Sequence, residues 1–373
     1  RLLAALAATT PQLGEVIVVD DGSTDPHPVH AVAERFGARV LRHPMSKGPA
    51  AARNTGLRVA STPLVAFLDS DVVPQPNWLE PLLTCFADPT VALASPRIVA
   101  LPPVRGMIGR YEAVRSSLDL GPDPAPIAPR TRVAYVPSAA MLLRKAAVEH
   151  GFDEQLRVAE DVDLVLRLFR AGWRLRYQPT ACVAHEHRSQ VVAWWLRKAY
   201  YGTGAAPLAQ RHPGLVPPMI LSWWSTAVPV LLLRGRVWSL LAATGITIAA
   251  VERLARRLPG RRPHVVAARL VAHGAVGAVR QAAEAMTRHY WPAAAIGAVA
   301  SRRFRRVVAT VAVVDGLVDW WRHRDRHPGA RPGPLGYLLA RRLDDLAYGA
   351  GLWWGALRHR SLAALRPVRP NRD

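Results

Sequence analysis

Residues 16–25 read VIVVDDGSTD, a short apolar run that ends in the paired aspartates Asp20 and Asp21. We interpret this run as a buried strand. Further apolar runs of the same kind alternate with helical patterns, at 39–41, 64–68 and 91–94. Such alternation is typical of crossover units, which build mainly parallel sheets. The first half of the chain therefore predicts an α/β fold, in which a single mainly parallel mixed sheet carries helices on both faces.

The segment from 102 to 132 interrupts this pattern. It is rich in proline, glycine and arginine around one helical stretch at 107–118, so we expect an insertion of loops rather than core. Extended structure is predicted to resume after it, at 133–136 and 141–144. A helix starts at Glu160, with apolar residues spaced at i, i+3, i+4 and i+7. A last pair of strands is predicted at 175–177 and 181–184.

The two halves of the chain differ in charge. Residues 1–190 hold 21 basic and 19 acidic side chains, whereas residues 191–373 hold 28 and 8. A positive field of this size attracts anionic membranes, nucleic acid or acidic ligands. No stacking platform or helix-turn-helix spacing accompanies it, so nucleic acid is not expected as a partner. Half of all residues are hydrophobic, which excludes a wholly disordered chain.

Two uncharged runs in the second half indicate contact with a membrane. Residues 214–233 form a run of 20 and residues 237–251 a run of 15. At about 1.5 Å of rise per residue, the first could just cross a hydrocarbon core of about 30 Å. It contains three prolines and arginines flank both runs, so an interfacial hairpin fits as well. We predict a sheet domain over 1–205 and a basic, tryptophan-rich, helical, membrane-associated region over 206–373.

Two acidic clusters follow predicted strands and a third begins a helix. Open α/β sheets bind their ligands at the carboxyl ends of the strands. Asp20 and Asp21 can accept hydrogen bonds from a nucleoside, although a turn with a helix cap explains them equally well. Asp69 and Asp71 lie two apart after a very apolar strand, so both can reach one divalent cation. Asp161, at the start of the helix from Glu160, lies off its apolar stripe and could act as a general base, or be a simple dipole partner.

Two further groups could support these acids. Arg53 and Asn54 follow the start of a predicted helix opened by Lys47, Gly48 and Pro49, and helix N-termini favour anions. A capped helix with solvated basic residues is the alternative. His185 and His187 lie at the end of the last predicted strand, and neutral imidazole is a common metal ligand.

The order of these pieces resembles the family 2 glycosyltransferases of the GT-A fold. The resemblance covers about residues 10–200 and rests on four ordered motifs: VIVVDDGSTD, GPAAARNTGL, FLDSDVVP and AEDVDLVLRLFRAGW followed by a histidine. Within the family, GPAAARNTGL, the PRI at 96–98 and YYGTGAAPLAQRHPG resemble the mycofactocin subgroup. That subgroup decorates a peptide-derived redox-cofactor precursor with glucose units.

The resemblance implies a role for each predicted site residue. Asp20 and Asp21 would meet the nucleoside, and Arg53 and Asn54 would lie beside the nucleotide-sugar donor. Asp69 and Asp71 would be the DXD carboxylates for Mg²⁺ or Mn²⁺ and the donor diphosphate. Asp161 would be the catalytic base of an inverting transfer, and His185 a ligand of the metal or diphosphate. His187 is the weaker candidate for that ligand.

The resemblance leaves the acceptor and the completeness of the domain open. The implied reaction moves a hexose, glucose from UDP-glucose, to the peptide-derived precursor, on the cytoplasmic face of the cell membrane. A polyprenyl or cell-envelope glycan acceptor would explain the C-terminal region as well, and a non-catalytic membrane scaffold is a third reading. The first strand of the family is expected to be missing, because the chain starts too late for it. The Gln-x-x-Arg-Trp mark of processive synthases does not follow the helix from Glu160.

Overall fold

The structure, a computed structural model, describes residues 1–9, 14–220, 222–327 and 329–368. The first half of the chain holds the strands, and it begins with a short helix. The strands are β1 (Ile17–Asp20), β2 (Arg39–Arg42), β3 (Leu64–Leu68), β4 (Val72–Pro74), β5 (Val91–Ala100), β6 (Ala125–Pro126), β7 (Ala140–Arg144) and β8 (Arg174–His185). The helices among them are α1 (Leu2–Ala7), α2 (His27–Arg35), α3 (Pro49–Val59), α4 (Glu80–Cys85), α5 (Gly106–Arg115) and α6 (Glu160–Arg170).

The strands form two sheets, so the prediction of a single mainly parallel sheet is wrong. β1 and β2 pair in parallel by themselves. The larger sheet has the order β3-β7-β5-β8-β4, with β6 on β8, and in the described residues its one parallel pair is β5 with β8. Buried strands read as continuous apolar runs whichever way their neighbours point. The apolar runs therefore predicted where strands lie but not their direction.

Helices cover both faces of the larger sheet, as predicted. Along β7, Met141 and Leu143 join a core built with α3 and α6, whereas Ala140 and Leu142 join a second core with α1 and α4. Successive side chains of a strand point to opposite faces, so β7 contributes to both cores at once. The sheet is mixed and buried between two layers of helices.

Several local predictions fail where distant contacts decide the structure. Residues 133–136 form no strand, and the predicted strand pair at the end is the single strand β8. The helical stretch predicted at 107–118 is present as α5, but it belongs to a core, which was not expected. Ile108 and Tyr111 of α5 are 2% and 1% exposed and pack with Trp194 and Tyr337 from the second half. Because these partners lie far along the chain, no local sequence pattern indicates that α5 is buried.

The second half is helical, as predicted. Its helices are α7 (Val191–Thr203), α8 (Ala205–Arg211), α9 (Trp223–Arg234), α10 (Val237–Ala255), α11 (Pro263–Glu284), α12 (Trp291–Ala300), α13 (Arg302–His323) and α14 (Pro334–Arg358). A π-helical turn over Ala285–His289 follows α11. α14 packs along α7 and also contacts α5, which joins the C-terminal helices to the sheet region.

The second uncharged run lies in α10, whereas among the described residues only 223–233 of the first run are helical, in α9; the two helices form a hairpin at Gly235. Leu221, within the first run, lies outside the described residues. In the part of the chain that the structure describes, α10 alone is long and apolar enough to cross a membrane, by length and composition. One such helix is weak evidence of a spanning segment. At the tip of the hairpin, Leu233 and Trp238 are 88% and 82% exposed.

Candidate active site

Arg53 connects two of the three predicted acidic clusters. Its guanidinium donates from Nη2 to Asp69 Oδ1 at 2.7 Å and from Nη1 to Glu160 Oε1 at 2.8 Å. The side chain is 11% exposed and lies over the Phe152 ring at 5.5 Å. A buried cation of this kind needs anionic partners, and here they come from the end of β3 and the start of α6. The DXD turn and the start of α6 therefore meet at one edge of the sheet.

Asp161 lies against the same backbone segment as Asp69. Ser138 N donates to Asp161 Oδ2 at 3.1 Å, and Asp69 N donates to the adjacent carbonyl oxygen, that of Ala139, at 3.0 Å. Val162 N also donates to Asp161 Oδ1, at 2.8 Å. Each oxygen of this half-buried carboxylate thus accepts one backbone N–H and keeps a further lone pair for another donor. The predicted base and the predicted metal turn lie side by side, as the sequence implied.

The carboxyls at the start of α6 are stronger bases than ordinary ones. Burial raises the pKa of Asp161, although the Ser138 and Val162 amides and the Arg53 guanidinium oppose it. Burial and the neighbouring Asp161 also raise the pKa of Glu160, against the influence of Arg53. Burial favours the neutral form of a carboxyl, so each holds its proton more tightly than it would in water. A carboxylate with a raised pKa suits a general base.

Asp71 and His185 face each other across two strands. β4 pairs with β8 so that Val72 lies opposite His185, and Glu186 N donates to the carbonyl oxygen of Asp71 at 2.9 Å. Asp71 Oδ2 lies 3.5 Å from His185 Nε2. Adjacent ligands of an octahedral ion with bonds of about 2.1 Å are about 3 Å apart, so this pair fits a small divalent cation. Among the described residues, no group of three or more histidine, cysteine or acidic side chains is arranged as a metal site.

A second histidine lies behind His185. The His185 and His187 rings are 4.9 Å apart and tilted by 44°. His187 Nδ1 is 3.9 Å from Glu112 Oε2 on α5. Burial lowers the pKa of His187 to about 4, against the influence of Glu112. His187 is therefore a neutral imidazole at neutral pH.

Asp21 binds the loop that opens α3. Its carboxylate accepts hydrogen bonds from His43 Nδ1 at 2.6 Å, Ser46 Oγ at 2.8 Å, Lys47 N at 2.9 Å and Gly48 N at 2.8 Å. Burial raises the pKa of Asp21, but these hydrogen bonds outweigh it and lower the pKa to about 2. The amides at the helix start, which we expected to face the donor, bind this carboxylate instead.

Asp20 and Asn54 also have partners within the chain. Asp20 accepts from Ser23 N at 2.9 Å and from Arg42 Nη1 at 2.8 Å. Asn54 donates from Nδ2 to the carbonyl oxygen of Phe152 at 2.8 Å and accepts from Phe152 N at 2.7 Å. The Asn54 amide thus holds α3 to the loop before α6. In this arrangement Asn54 positions the elements of the site, and its side chain is buried.

A polar cluster between the two halves of the chain could not be predicted from the residue pattern. Glu112 on α5 accepts from Lys198 Nζ and from Trp194 Nε1 on α7, each at 2.9 Å. Lys198 also lies 3.7 Å from Asp344 on α14, which accepts from Tyr111 OH at 3.0 Å. Buried charges of this kind need partners. Which residues pair depends on how α5, α7 and α14 pack together. No local motif marks them.

Comparison with known proteins assigns a family. Residues 1–151 match the sequence model described as Glycosyl transferase family 2. The chain is 50% identical over 358 residues to a protein of Mycobacterium tuberculosis (strain H37Rv) named Pre-mycofactocin glycosyltransferase, covering 94% of this chain and 76% of the relative. It is 33% identical over 184 residues to the Succinoglycan biosynthesis protein ExoU of Rhizobium meliloti (strain 1021), covering 46% of this chain and 53% of that one.

One solved structure resembles most of the chain at low similarity. It is the mannosyltransferase PcManGT from Pyrobaculum calidifontis in complex with GDP-Man and Mn²⁺. The match covers 92% of this chain and 81% of that one, with 19% identity and a TM-score of 0.42, which is too low to support an argument. The sequence relatives therefore carry the assignment.

Proposed function

The chain belongs to glycosyl transferase family 2, and from that membership we propose that it is an inverting, metal-dependent hexosyltransferase of mycofactocin biosynthesis. That it is a glycosyltransferase follows from the family and from the relative that is 50% identical over 94% of the chain. The proposal adds the donor, UDP-glucose, and the acceptor, a hydroxyl of the peptide-derived redox-cofactor precursor. The printed name of that relative, Pre-mycofactocin glycosyltransferase, supports the acceptor.

The observation that carries the mechanism is the bridge made by Arg53. Its ion pairs to Asp69 and Glu160 bring the DXD turn beside Asp161. A base and a site for the leaving diphosphate must flank one sugar, and this arrangement provides both at one edge of the sheet. Neither cluster alone would supply the two functions.

We assign the base to Asp161. Its carboxylate takes the proton of the acceptor hydroxyl as that oxygen attacks the anomeric carbon of the sugar. The bond between this carbon and the diphosphate oxygen breaks at the same time, and the nucleoside diphosphate leaves with the electron pair. Attack from the side opposite the leaving group inverts the anomeric centre. No covalent enzyme intermediate is needed, since the acceptor oxygen is itself the nucleophile.

Asp69, Asp71 and His185 are the residues that would hold a divalent cation, Mg²⁺ or Mn²⁺. When bound, such a cation supplies positive charge that stabilises the diphosphate as it leaves. Carboxylate oxygens suit both ions. Asp69 already gives one oxygen to Arg53, and its side chain is 40% exposed, so its other oxygen is available to a ligand.

Donor binding is assigned to the end of β1 and the start of α3. Asp20 and Asp21 lie at the end of β1, Arg53 and Asn54 lie in α3, and Asp21 binds the loop that opens α3. In this proposal the exposed part of Asp21, whose side chain is 21% exposed, meets the nucleoside, and Arg53 faces the diphosphate. Asp20 and Asn54 keep the surrounding backbone in place through the hydrogen bonds described above. Hydrogen bonds from neighbouring groups thus hold the carboxylates of Asp20 and Asp21 in place before a nucleotide binds.

A panel of sugar nucleotides tests the proposal. The full chain would be incubated with Mn²⁺, each donor and the mycofactocin precursor peptide, and the mass of the peptide would be followed. We expect a hexose to be added from UDP-glucose, faster than from UDP-galactose or GDP-mannose. Transfer from none of the donors would contradict the assignment, and omission of the metal should abolish transfer.

The exposed apolar hairpin favours a second acceptor class. A sugar placed on a polyprenyl phosphate or a cell-envelope glycan would need an enzyme held at a membrane, and α9–α10 exposes apolar side chains beside arginines. The same panel run with a short-chain polyprenyl phosphate separates the two acceptors. Glycosylation of the lipid in preference to the peptide would replace the peptide as the acceptor.

We further propose that the chain divides at about residue 205 into a catalytic domain over 1–205 and a helical region over 206–373. The helical region would lie on the inner face of the cell membrane, with the catalytic domain in the cytoplasm. The difference in charge between the halves and the exposed tip of the α9–α10 hairpin support this placement. Arginine beside tryptophan suits a headgroup zone.

A further inference from the structure

Two buried ring nitrogens near the proposed cation site have no hydrogen-bond partner among the described residues. They are His185 Nδ1 and His187 Nε2. The side chain of His187 is 9% exposed and that of His185 is 16% exposed, so water does not readily satisfy either atom. Buried polar atoms without partners are rare and costly, and each calls for an explanation.

The chemistry of imidazole offers one explanation for both atoms. A neutral imidazole carries one N–H donor and one acceptor nitrogen. His185 Nε2 is directed at Asp71 Oδ2, 3.5 Å away, and as a ligand it would carry no proton. The proton of His185 would then sit on Nδ1 and needs an acceptor. The neighbouring ring, 4.9 Å away between centroids, has an acceptor position at Nε2.

Resting on the proposed function, we propose that His187 is a positioning residue for His185, within a chain of hydrogen bonds that ends at Glu112. In this chain His185 Nδ1–H donates to His187 Nε2, and His187 Nδ1–H donates to Glu112 Oε2. Neither link is formed in the structure, so the two rings must reorient for the first, and the last pair, 3.9 Å apart, must shorten to about 3 Å. Partners of this kind fix the ring orientation of a metal-ligating histidine and raise its basicity.

Glu112 is held firmly enough to orient His187. It is 5% exposed, and Lys198 Nζ and Trp194 Nε1 both donate to its Oε1. Its Oε2 is therefore left to face His187. Lys198 and Trp194 belong to α7, which packs on α14, so the C-terminal helices support the cation site through this carboxylate.

A competing arrangement makes His187 a ligand of the cation itself. His185 and His187 lie two residues apart at the end of a strand, a spacing that directs both rings to one side. That arrangement would satisfy His187 Nε2 but leave His185 Nδ1 without an acceptor. The chain of hydrogen bonds satisfies both atoms, and we prefer it for that reason.

Binding of Mn²⁺ to the full chain in the presence of UDP, measured by calorimetry, tests the inference. His187→Leu removes the acceptor and should weaken Mn²⁺ binding about 10- to 100-fold. His187→Gln keeps an acceptor oxygen near the position of Nε2 and should retain most of the affinity. His323→Leu is the matched control, because His323 is also buried and lies 3.4 Å from a carboxylate, that of Asp319 on α13. We expect it to bind Mn²⁺ as the wild type does.

The outcomes separate this inference from the proposed function. If the wild type binds no Mn²⁺ with UDP, the metal-dependent function itself is wrong. If the wild type binds and His187→Leu binds equally well, His187 has no part in positioning His185. If His187→Gln loses as much affinity as His187→Leu, His187 is a ligand and the chain of hydrogen bonds is wrong. Unchanged thermal unfolding of each variant, relative to His323→Leu, shows that folding is not the cause.

Discussion

At Arg53, one guanidinium faces two carboxylates that lie far apart in the sequence. Burial lowers the pKa of Arg53, but Asp69 and Glu160 outweigh burial and raise it, so the side chain stays charged. Removing one partner of a buried ion pair leaves an uncompensated charge, which costs more than the pair itself gains. Arg53 thus stabilises the meeting of the DXD turn with α6 and also keeps the pKa of Asp161 from rising further.

This role predicts the pH dependence of transfer. Asp161 accepts a proton only while ionised, and burial raises its pKa, so the rate should fall on the acid side at a pH above the ordinary value of 3.8. Arg53→Met removes a cation that lowers this pKa, so the acid limb of kcat should move to higher pH. Arg58→Met, on the exposed side of the same helix, is the matched control. An acid limb that stays in place, or moves down, in Arg53→Met would contradict the assignment.

That the turn at Asp69 and Asp71 lies close to Asp161 could be predicted, but not the contacts that the other candidate residues make. The spacing of Asp69 with Asp71, and the position of Asp161 off the apolar stripe, placed these carboxylates at one edge of the sheet. The partners of Asp21 and Asn54 could not be predicted, because they lie on loops whose paths depend on the whole fold. At Gly22, with φ of 77°, a Cβ would lie 2.6 Å from the carbonyl carbon of Met45, so the turn after Asp21 depends on a glycine.

At the scale of elements, the close crossing of α7 and α14 joins the two halves of the chain. Gly202 on α7 and Gly351 and Gly355 on α14 lie at this crossing, where a Cβ would meet backbone atoms of the other helix. Small residues let helix backbones approach, and the side chains around them then pack closely. The same crossing brings Lys198 of α7 within 3.7 Å of Asp344 on α14.

Gly351→Ala should therefore destabilise the protein. Its Cβ would overlap the carbonyl oxygen of Ala199, so the two helices must separate, at a cost of about 1–3 kcal/mol. Gly277→Ala on α11 is the matched control, because nothing lies within 4 Å of the added Cβ. Alanine there should stabilise its helix by about 0.5–1 kcal/mol. Thermal unfolding measures both, and a rise in Tm for Gly351→Ala would show that the crossing is looser than described.

Element positions could be predicted better than element directions or burial. The period of apolar residues found α6, because an exposed and a buried face give a clear pattern. It could not show that β5 and β7 are antiparallel, since both are buried on two faces. It also placed α5 within an insertion, because the residues that bury Ile108 and Tyr111 belong to α7 and α14.

In the whole molecule, the excess positive charge and the proposed catalytic site lie in different halves of the chain. The proposed site lies in the half with nearly balanced charge, and the excess of basic residues lies in the other half. Large exposed apolar side chains concentrate on the helices of that second half, including Leu233, Val237 and Trp238 at the tip of the α9–α10 hairpin, with Arg234 and Arg236 beside them. Apolar patches of this kind mark interaction sites.

The hairpin tip should govern binding to anionic membranes. Vesicles with anionic lipid should sediment the wild-type protein, and the double substitution Leu233→Glu with Trp238→Glu should release it, because two charges would have to enter the interface. Val32→Glu, on the exposed face of α2 in the first half, is the control and should still sediment. Sedimentation of the double variant with the vesicles, at the wild-type level, would show that the tip is not the docking element.

The most direct test of the account is the rate of hexose transfer by Asp161→Asn at saturating donor. The substitution keeps the size of the side chain and its contact with Ser138 but removes the base. We predict a rate lower by about 10²- to 10⁴-fold, with binding of UDP and Mn²⁺ close to that of the wild type. Transfer at the wild-type rate would mean that another group takes the proton, and that the carboxylate beside the DXD turn is not the base.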